Sequence, residues 1–307
     1  MVFYLGDGQD TGEYLSWAHH IAVSDVVKFS GKIKGAPLNQ QTPFNDPFDL
    51  PSLDTTLANT PFAGNLHFYP TIHSTNTLLM QQADTGAPEG TVYFAGEQTA
   101  GRGRGAHAWA SPPGSGLYVS ILLRPRIAPA DVLWLSLAAG LAVRQAVQQV
   151  TSLEADLRWP NDLLLGSKKF CGILTELNAE VTRVRHLVIG IGINVHQERF
   201  PDELSHQATS LHIETGKHWP RQELLIALLK AIHNEATALT DNLSQATQSI
   251  LTRLEQSSTW IKGKRVQVGE AEGYTGTTAG LDSRGFLLVR TAEGLRTVLS
   301  GGVRALE

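Results

Sequence analysis

Gly101-Arg102-Gly103-Arg104-Gly105-Ala106, with Trp109-Ala110-Ser111-Pro112-Pro113-Gly114 close behind, is the stretch on which the fold turns. Its first six residues satisfy the dinucleotide fingerprint G-x-G-x-x-G/A, which needs a helix opening at the glycines and an acid about twenty positions on. Pro112 and Pro113 forbid that helix. Asp131, the first acid downstream, lies too far along and starts a different element. A doubly wound dinucleotide fold is thereby excluded. What remains is a loop beside a strand end, in which glycines allow close backbone approach and Arg102 and Arg104 present planar forks suited to phosphate. A solvated surface loop has the same composition, and the string alone does not separate the two.

Working outward, Leu66–Tyr69 and Thr91–Glu97 read as strands, with a helix over Thr75–Gln82 between them. Leu117–Leu123 is a strand ended by Pro125, and Asp131–Val150 a strongly apolar helix. Gly172–Leu177 and Leu187–Asn194 read as a hairpin. Two helices follow, from Arg221 to about Asn242 and from Leu243 to about Ile261. Beyond these, Val266–Val268, Glu272–Leu281, Gly285–Arg290 and Arg296–Leu299 are short strands separated by turns, the pattern of a small barrel. The expected fold class is α+β (mixed α/β): a catalytic domain with a mixed sheet and helices over residues 46–261, and a C-terminal β-barrel over residues 262–307. Residues 1–45 form an extension of unknown role, running into a loop or linker rich in Pro, Asn, Gln and Gly between Gly35 and Pro51.

Composition narrows the function. The 307 residues carry a formal net charge of -4, are 42% hydrophobic and 18% charged, and include one cysteine, Cys171. That is ordinary globular material with no charge bias toward nucleic acid or an anionic membrane. The first forty-five residues hold only Lys28, Lys32 and Lys34 as basic side chains, too few for a recognition helix. The longest apolar run, Val132–Val143, is interrupted by Ser136, whereas a membrane span needs about twenty residues. A soluble, cytoplasmic protein with no nucleic-acid or membrane partner is expected. No metal-ligand spacing, Walker A motif or nucleophile elbow appears.

Three further motifs carry chemistry, each with a plain structural alternative. His73-Ser74-Thr75-Asn76 sits at a strand-to-helix junction, where small polar groups cap the helix or grip the polar end of a ligand. Arg158-Trp159-Pro160-Asn161-Asp162 precedes Lys168-Lys169-Phe170-Cys171-Gly172: Lys169 either projects into a site as a phosphate-binding cation or is merely exposed on a hairpin. Gly190-Ile191-Gly192-Ile193-Asn194 strips one strand face of side chains, leaving room for a flat ligand or for close helix packing.

In this order Ser74-Thr75-Asn76, Glu97 to Arg104 (EQTAGRGR), Trp109-Ala110-Ser111-Pro112, Gly116-Leu117-Tyr118, Arg158 to Leu177 (RWPNDLLLGSKKFCGILTEL), Gly190 to Val195 and Ala208-Thr209-Ser210-Leu211 resemble the biotin–protein ligase family, from about Phe48 to the end. The resemblance implies a biotin/lipoate ligase-like catalytic domain with an SH3-like C-terminal barrel. It implies a biotin pocket lined by Ser74, Thr75, Asn76, Gln98, Gly101, Gly116, Gly172, Gly190 and Gly192. Arg102, Arg104, Lys169 and Arg158 become the catalytic cations, the first three also contacting biotin and ATP, and Trp109, Asn161, Asn194 and Ser210 complete the nucleotide site. The substrates implied are biotin, ATP with Mg²⁺, and a biotin carboxyl carrier protein or domain; a homodimer is compatible with the resemblance. Two departures stand out: Gly105-Ala106-His107-Ala108 replaces further Arg and Gly residues, and Cys171 replaces a small residue and is expected to pack without reacting. The family's DNA-binding domain has no counterpart in the motifs, so a monofunctional ligase is expected. Its carrier is expected to dock on exposed strand edge near residues 117–123.

Overall fold

The structure is a computed structural model that describes residues 2–5, 46–105, 107–269, 273–299 and 302–306. The readings of residues 6–45 as an extension without a DNA-reading helix lie outside the described residues. Pro51, placed above in a linker, instead occupies the first turn of α1 (Leu50–Thr56), where its missing N–H costs no helical bond. Asp49 caps that helix by accepting from Ser52 N at 3.1 Å.

The strands β1 (Val2–Leu5), β2 (Leu66–Ile72), β3 (Val92–Gln98), β4 (Gly116–Leu123), β5 (Asp156–Arg158), β6 (Asp162–Leu165), β7 (Lys168–Ala179) and β8 (Val184–Asn194) form one sheet in the order β2-β3-β4-β8-β7-β6-β5, with β1 beside β7. The β2–β3 and β1–β7 pairs are parallel and the others antiparallel, the mixed sheet expected. One expectation fails. β4 is no edge: it lies between β3 and β8 and every residue of it is buried, so no carrier can add a strand there.

Side-chain alternation divides the sheet into two faces. Leu117, Val119, Ile121 and Leu123 of β4, with Leu187, Ile189, Ile191 and Ile193 of β8, join the main core. Against that face pack α3 (Val132–Thr151) and α6 (Arg221–Asp241). The α3 helix is long and apolar enough to cross a membrane by length and composition, yet 78% of its most apolar window is buried in this core. Among the described residues the opposite face carries α2 (Thr75–Asp84), which covers Tyr93, Leu122 and Val188 with Leu79, Met80 and Ala83. Beyond the N-terminus of α2 the same face is left for the loop between β3 and β4.

The short helices α4 (Asp202–Ser205) and α5 (Leu211–Thr215) follow β8. After α7 (Leu243–Ser257), which ends before Ile261, come β9 (Lys262–Val268), β10 (Tyr274–Leu281), β11 (Leu287–Thr291), β12 (Gly294–Val298) and β13 (Val303–Ala305), an antiparallel sheet in the order β12-β11-β10-β9-β13. Among the described residues it does not close into a barrel, because β12 and β13 are not paired. Its Val266, Leu287, Val289 and Val298 belong to the same core cluster as α3.

The junction explains Trp159. That side chain is 3% exposed and donates its indole N–H to Gly285 O at 2.9 Å, in the turn between β10 and β11. Gly285 has φ +85°, and a Cβ there would lie 3.1 Å from Leu137 Cδ1, so the turn approaches α3 as only glycine can. Trp159→Phe removes the hydrogen bond and, phenyl being smaller than indole, part of the packing. We expect it to cost about 1–3 kcal/mol by urea unfolding, the penalty for an unsatisfied buried carbonyl; an unchanged midpoint would show that the bond contributes nothing.

Candidate functional site

The floor of the site follows from strand register. Gly172 of β7 pairs with Gly192 of β8, and Leu174 pairs with Gly190; Gly192 and Gly190 face Tyr118 and Ser120 of β4 on their other side. Three bare Cα positions therefore meet on the α2 face of the sheet. A Cβ on Gly190 would lie 2.2 Å from Asn76 Oδ1, and one on Gly192 would lie 2.4 Å from Trp109 Nε1. A Cβ on Gly172 would lie 2.9 Å from the Trp109 ring. The glycines of both strands thus serve close packing here, with the indole of Trp109 lying across Gly172 and Gly192. Among the described residues its buried N–H has no hydrogen-bond partner, an unfavourable state that a ligand able to move the ring would relieve.

At one end of this floor, the N-terminus of α2 supplies a polar cluster. Ser74 caps the helix, accepting from Thr77 N at 3.4 Å, and is 2% exposed. Gln98 Oε1 accepts from Thr75 N at 2.9 Å and from Thr75 Oγ1 at 3.0 Å, while Gln98 Nε2 donates to Ser111 Oγ at 2.9 Å. Ser120, from β4, donates to Asn76 Oδ1 at 2.6 Å. Thr75, Asn76 and Gln98 are thus brought together as expected, with Ser111 and Ser120 as additions. Gly101 lets the loop fold back on this cluster, since a Cβ there would lie 2.4 Å from Trp109 O and 2.8 Å from Ser111 Oγ.

At the other end three cations converge on one acid. Lys169 Nζ lies 2.6 Å from Asp162 Oδ1, and Arg158 donates to Asp162 Oδ2 at 2.7 Å. Lys169 also lies over the Trp109 ring, 5.2 Å from its centroid, a cation–π contact that joins the cluster to the glycine floor. Burial alone would raise the Asp162 carboxyl, but the Lys169 ammonium and then the Arg158 guanidinium hold it below the usual carboxylate range. Burial lowers the Arg104 guanidinium, and the charge of Asp162 opposes that shift. Arg102 is directed elsewhere: its guanidinium pairs with Glu176 of β7.

Several expected site residues make contacts within the protein. Asn161 Nδ2 donates to Ile173 O at 2.8 Å, and Asn194 Nδ2 donates to Thr209 O at 3.0 Å. Ser210 Oγ donates to Gln197 O and accepts from Ile213 N, capping α5. Gly116 lies under the Tyr118 ring, where a Cβ would come within 2.5 Å of it. Cys171 is fully buried, and burial pushes its thiol upward, consistent with packing and not reaction. Asp162 and Glu176 are the two acids of this arrangement that the expected site residues do not include. The available signal for Glu176 is a charge within the mostly apolar run Gly172–Leu177.

The biotin/lipoate A/B protein ligase family matches residues 68–194, and the biotin protein ligase C-terminal domain matches residues 262–303. The bifunctional ligase/repressor BirA of Bacillus subtilis is 36% identical over 242 residues, covering 78% of this chain and 73% of that protein. The biotin–[acetyl-CoA-carboxylase] ligase of Mycobacterium tuberculosis is 40% identical over 143 residues, 45% of this chain and 51% of that protein. The solved biotin protein ligase of Aquifex aeolicus, in complex with biotin and ATP, superposes with a TM-score of 0.68 at 33% identity, covering 79% of this chain and 99% of that one. The fold is that of the biotin and lipoate ligase class. Within it, the chain belongs to the biotin protein ligase family.

The acid cluster gives a pH dependence with a defined sign. Because the folded-state pKa of Asp162 is depressed, its ionised form stabilises the fold fully above the unfolded value, about 3.9, and that contribution is lost as pH falls through the lower folded value. Thermal melts from neutral to acid pH should therefore lose less stability in Asp162→Asn than in the parent across that window. Parallel profiles would show that the pair with Lys169 and Arg158 is energetically silent.

Proposed function

We propose that this chain condenses biotin with ATP to biotinyl-AMP and pyrophosphate, then transfers the biotinyl group to a lysine of a biotin carboxyl carrier protein, such as an acetyl-CoA carboxylase subunit. The observation that carries this reading is the glycine-floored face on β7 and β8, with hydrogen-bonding groups at one end and a convergent cation cluster at the other. In it, the polar cluster of Ser74, Thr75, Asn76 and Gln98 takes the ring end of biotin, and the carboxylate points toward Lys169.

The biotin carboxylate is a poor electrophile. In the first step one of its oxygens attacks the α-phosphorus of ATP; the bond from that phosphorus to the bridging oxygen breaks and pyrophosphate leaves. Two anions must approach one another, and Lys169 with Arg104 offsets the charge. Both cations already stand near Asp162, so little reorganisation is required. Mg²⁺ enters with ATP as part of the substrate. Trp109 moves off Gly172 and Gly192, and the loop closes over the adenylate to exclude water. In the second step the carrier amine attacks the acyl carbon, a proton is lost, and AMP leaves. Neither step needs an enzyme nucleophile. Asn161, Asn194 and Ser210 act by shaping the nucleotide end through their bonds to backbone.

A monofunctional, cytoplasmic ligase is part of the same proposal. Its support is the scarcity of basic residues before Asp46, three lysines only, and a single cysteine that is buried.

The family match spans lipoate as well as biotin ligases, so the test is ATP–pyrophosphate exchange run with each acid. Exchange should depend on biotin and fall about a hundredfold or more in Lys169→Ala, the scale of losing a main transition-state charge partner. Exchange with lipoate alone would reassign the substrate, and exchange with neither would refute the adenylation step.

A further inference from the structure

We infer that Glu176 is a positioning residue for this reaction: buried beneath the pocket, it fixes Arg102 and Asn76 together, so that Arg102 anchors the base of the β3–β4 loop and leaves the phosphate charge to Arg104 and Lys169. This role rests on the ligase reading given above.

Alternation along β7 places Gly172, Leu174 and Glu176 on the α2 face. Glu176 is 0% exposed, and a carboxylate so buried is tolerated only when its charge is paired. The partners come from two different elements of the site. Arg102 Nη1 donates to Oε2 at 3.0 Å, and Nη2 lies 2.9 Å from Oε1 as an ion-pair contact without hydrogen-bond geometry. Asn76 Nδ2 donates to Oε2 at 2.9 Å. One charge-assisted hydrogen bond and a second close ion contact between the same two groups fix direction as well as distance.

Two consequences follow for the pocket. An ionised carboxylate only accepts, so it requires the NH₂ of Asn76 on its side and leaves Asn76 Oδ1 facing Ser120 and Gly190. Glu176 therefore sets which way the amide presents its donor and acceptor to a ligand. At the loop, Arg102 bridges to Ala108, and Gly103 N donates to His107 O at 2.8 Å, so the two legs are tied at the residue Glu176 holds. Arg104 lies beyond that tie, under the influence of Asp162. The loop thus has a fixed base and a tip that carries the phosphate-directed charge.

The test separates KM for biotin from KM for ATP in pyrophosphate exchange, for Glu176→Gln and Arg102→Lys, with thermal melts to establish folding. Glu176→Gln removes the charge and the strict acceptor; Arg102→Lys keeps the charge and removes the fork. Each should raise KM for biotin roughly ten- to hundredfold, the range of charge-assisted hydrogen bonds, and leave KM for ATP within about threefold, under one such bond's worth. The double variant should be no worse than the more damaging single one, because both act on one pair. A rise in KM for ATP, or multiplying effects, would make Arg102 a phosphate ligand in its own right and overturn the proposal; so would an unchanged KM for biotin. Were Glu176→Gln not to fold, Arg102→Lys, whose side chain is 35% exposed, carries the same test alone. Absence of exchange in the parent protein refutes the ligase reading itself, whereas exchange in the parent with unchanged variants refutes only the role of Glu176.

Discussion

The pairing register between β7 and β8 is the constraint on which the site depends. It sets Gly172 opposite Gly192 and Leu174 opposite Gly190, so bare backbone accumulates on one face while Ile173, Ile191 and Ile193 fill the core on the other. A slip of one residue would exchange the two sets. The core could not then close, and the face beneath α2 would be blocked by isoleucines. Burial of the large apolar face holds the register, and the register in turn keeps the small face open. Stability and the binding surface are two sides of the same strands.

On that face the charges are arranged as acids under bases. Asp162 holds Lys169 and Arg158, and Glu176 holds Arg102. Each acid is more buried than the cations it holds, which gives the cations fixed positions before any anionic substrate arrives. Groups held in this way need little rearrangement as charge develops, and preorganised charge is the main means by which enzymes lower such barriers. The division of labour between the two loop arginines follows from where these acids stand in the sheet. It also accounts for a chain of net charge -4 handling two anionic substrates: the local field is set by placement, with the overall charge nearly irrelevant.

Much of this was legible in sequence. Short apolar runs bounded by turn residues gave the positions of β3, β4 and β8, and a long apolar run that of α3. Pro112 and Pro113 removed the Rossmann reading, and the order of motifs pointed to the ligase family. What sequence left hidden was pairing. Nothing in LYVSILL says whether a strand is central or at an edge, and β4 proved central. Nothing in Trp159 announces that its partner is Gly285, which lies more than a hundred positions away in the chain. Glu176 looked like a polar interruption until its strand neighbours showed which face it used. Asn161, Asn194 and Ser210 were polar letters in familiar strings, yet their side chains bond to backbone groups that only the fold brings near.

The claim that binds these observations is that the ligand lies on the glycine face now covered by the Trp109 indole. A crystal structure of the chain with biotin and a non-hydrolysable ATP analogue tests it most directly. The account predicts ligand density against Gly172, Gly190 and Gly192, the indole moved off Gly192, and Arg102 still paired with Glu176. Ligand density elsewhere, with Trp109 still lying across Gly172 and Gly192, would contradict it.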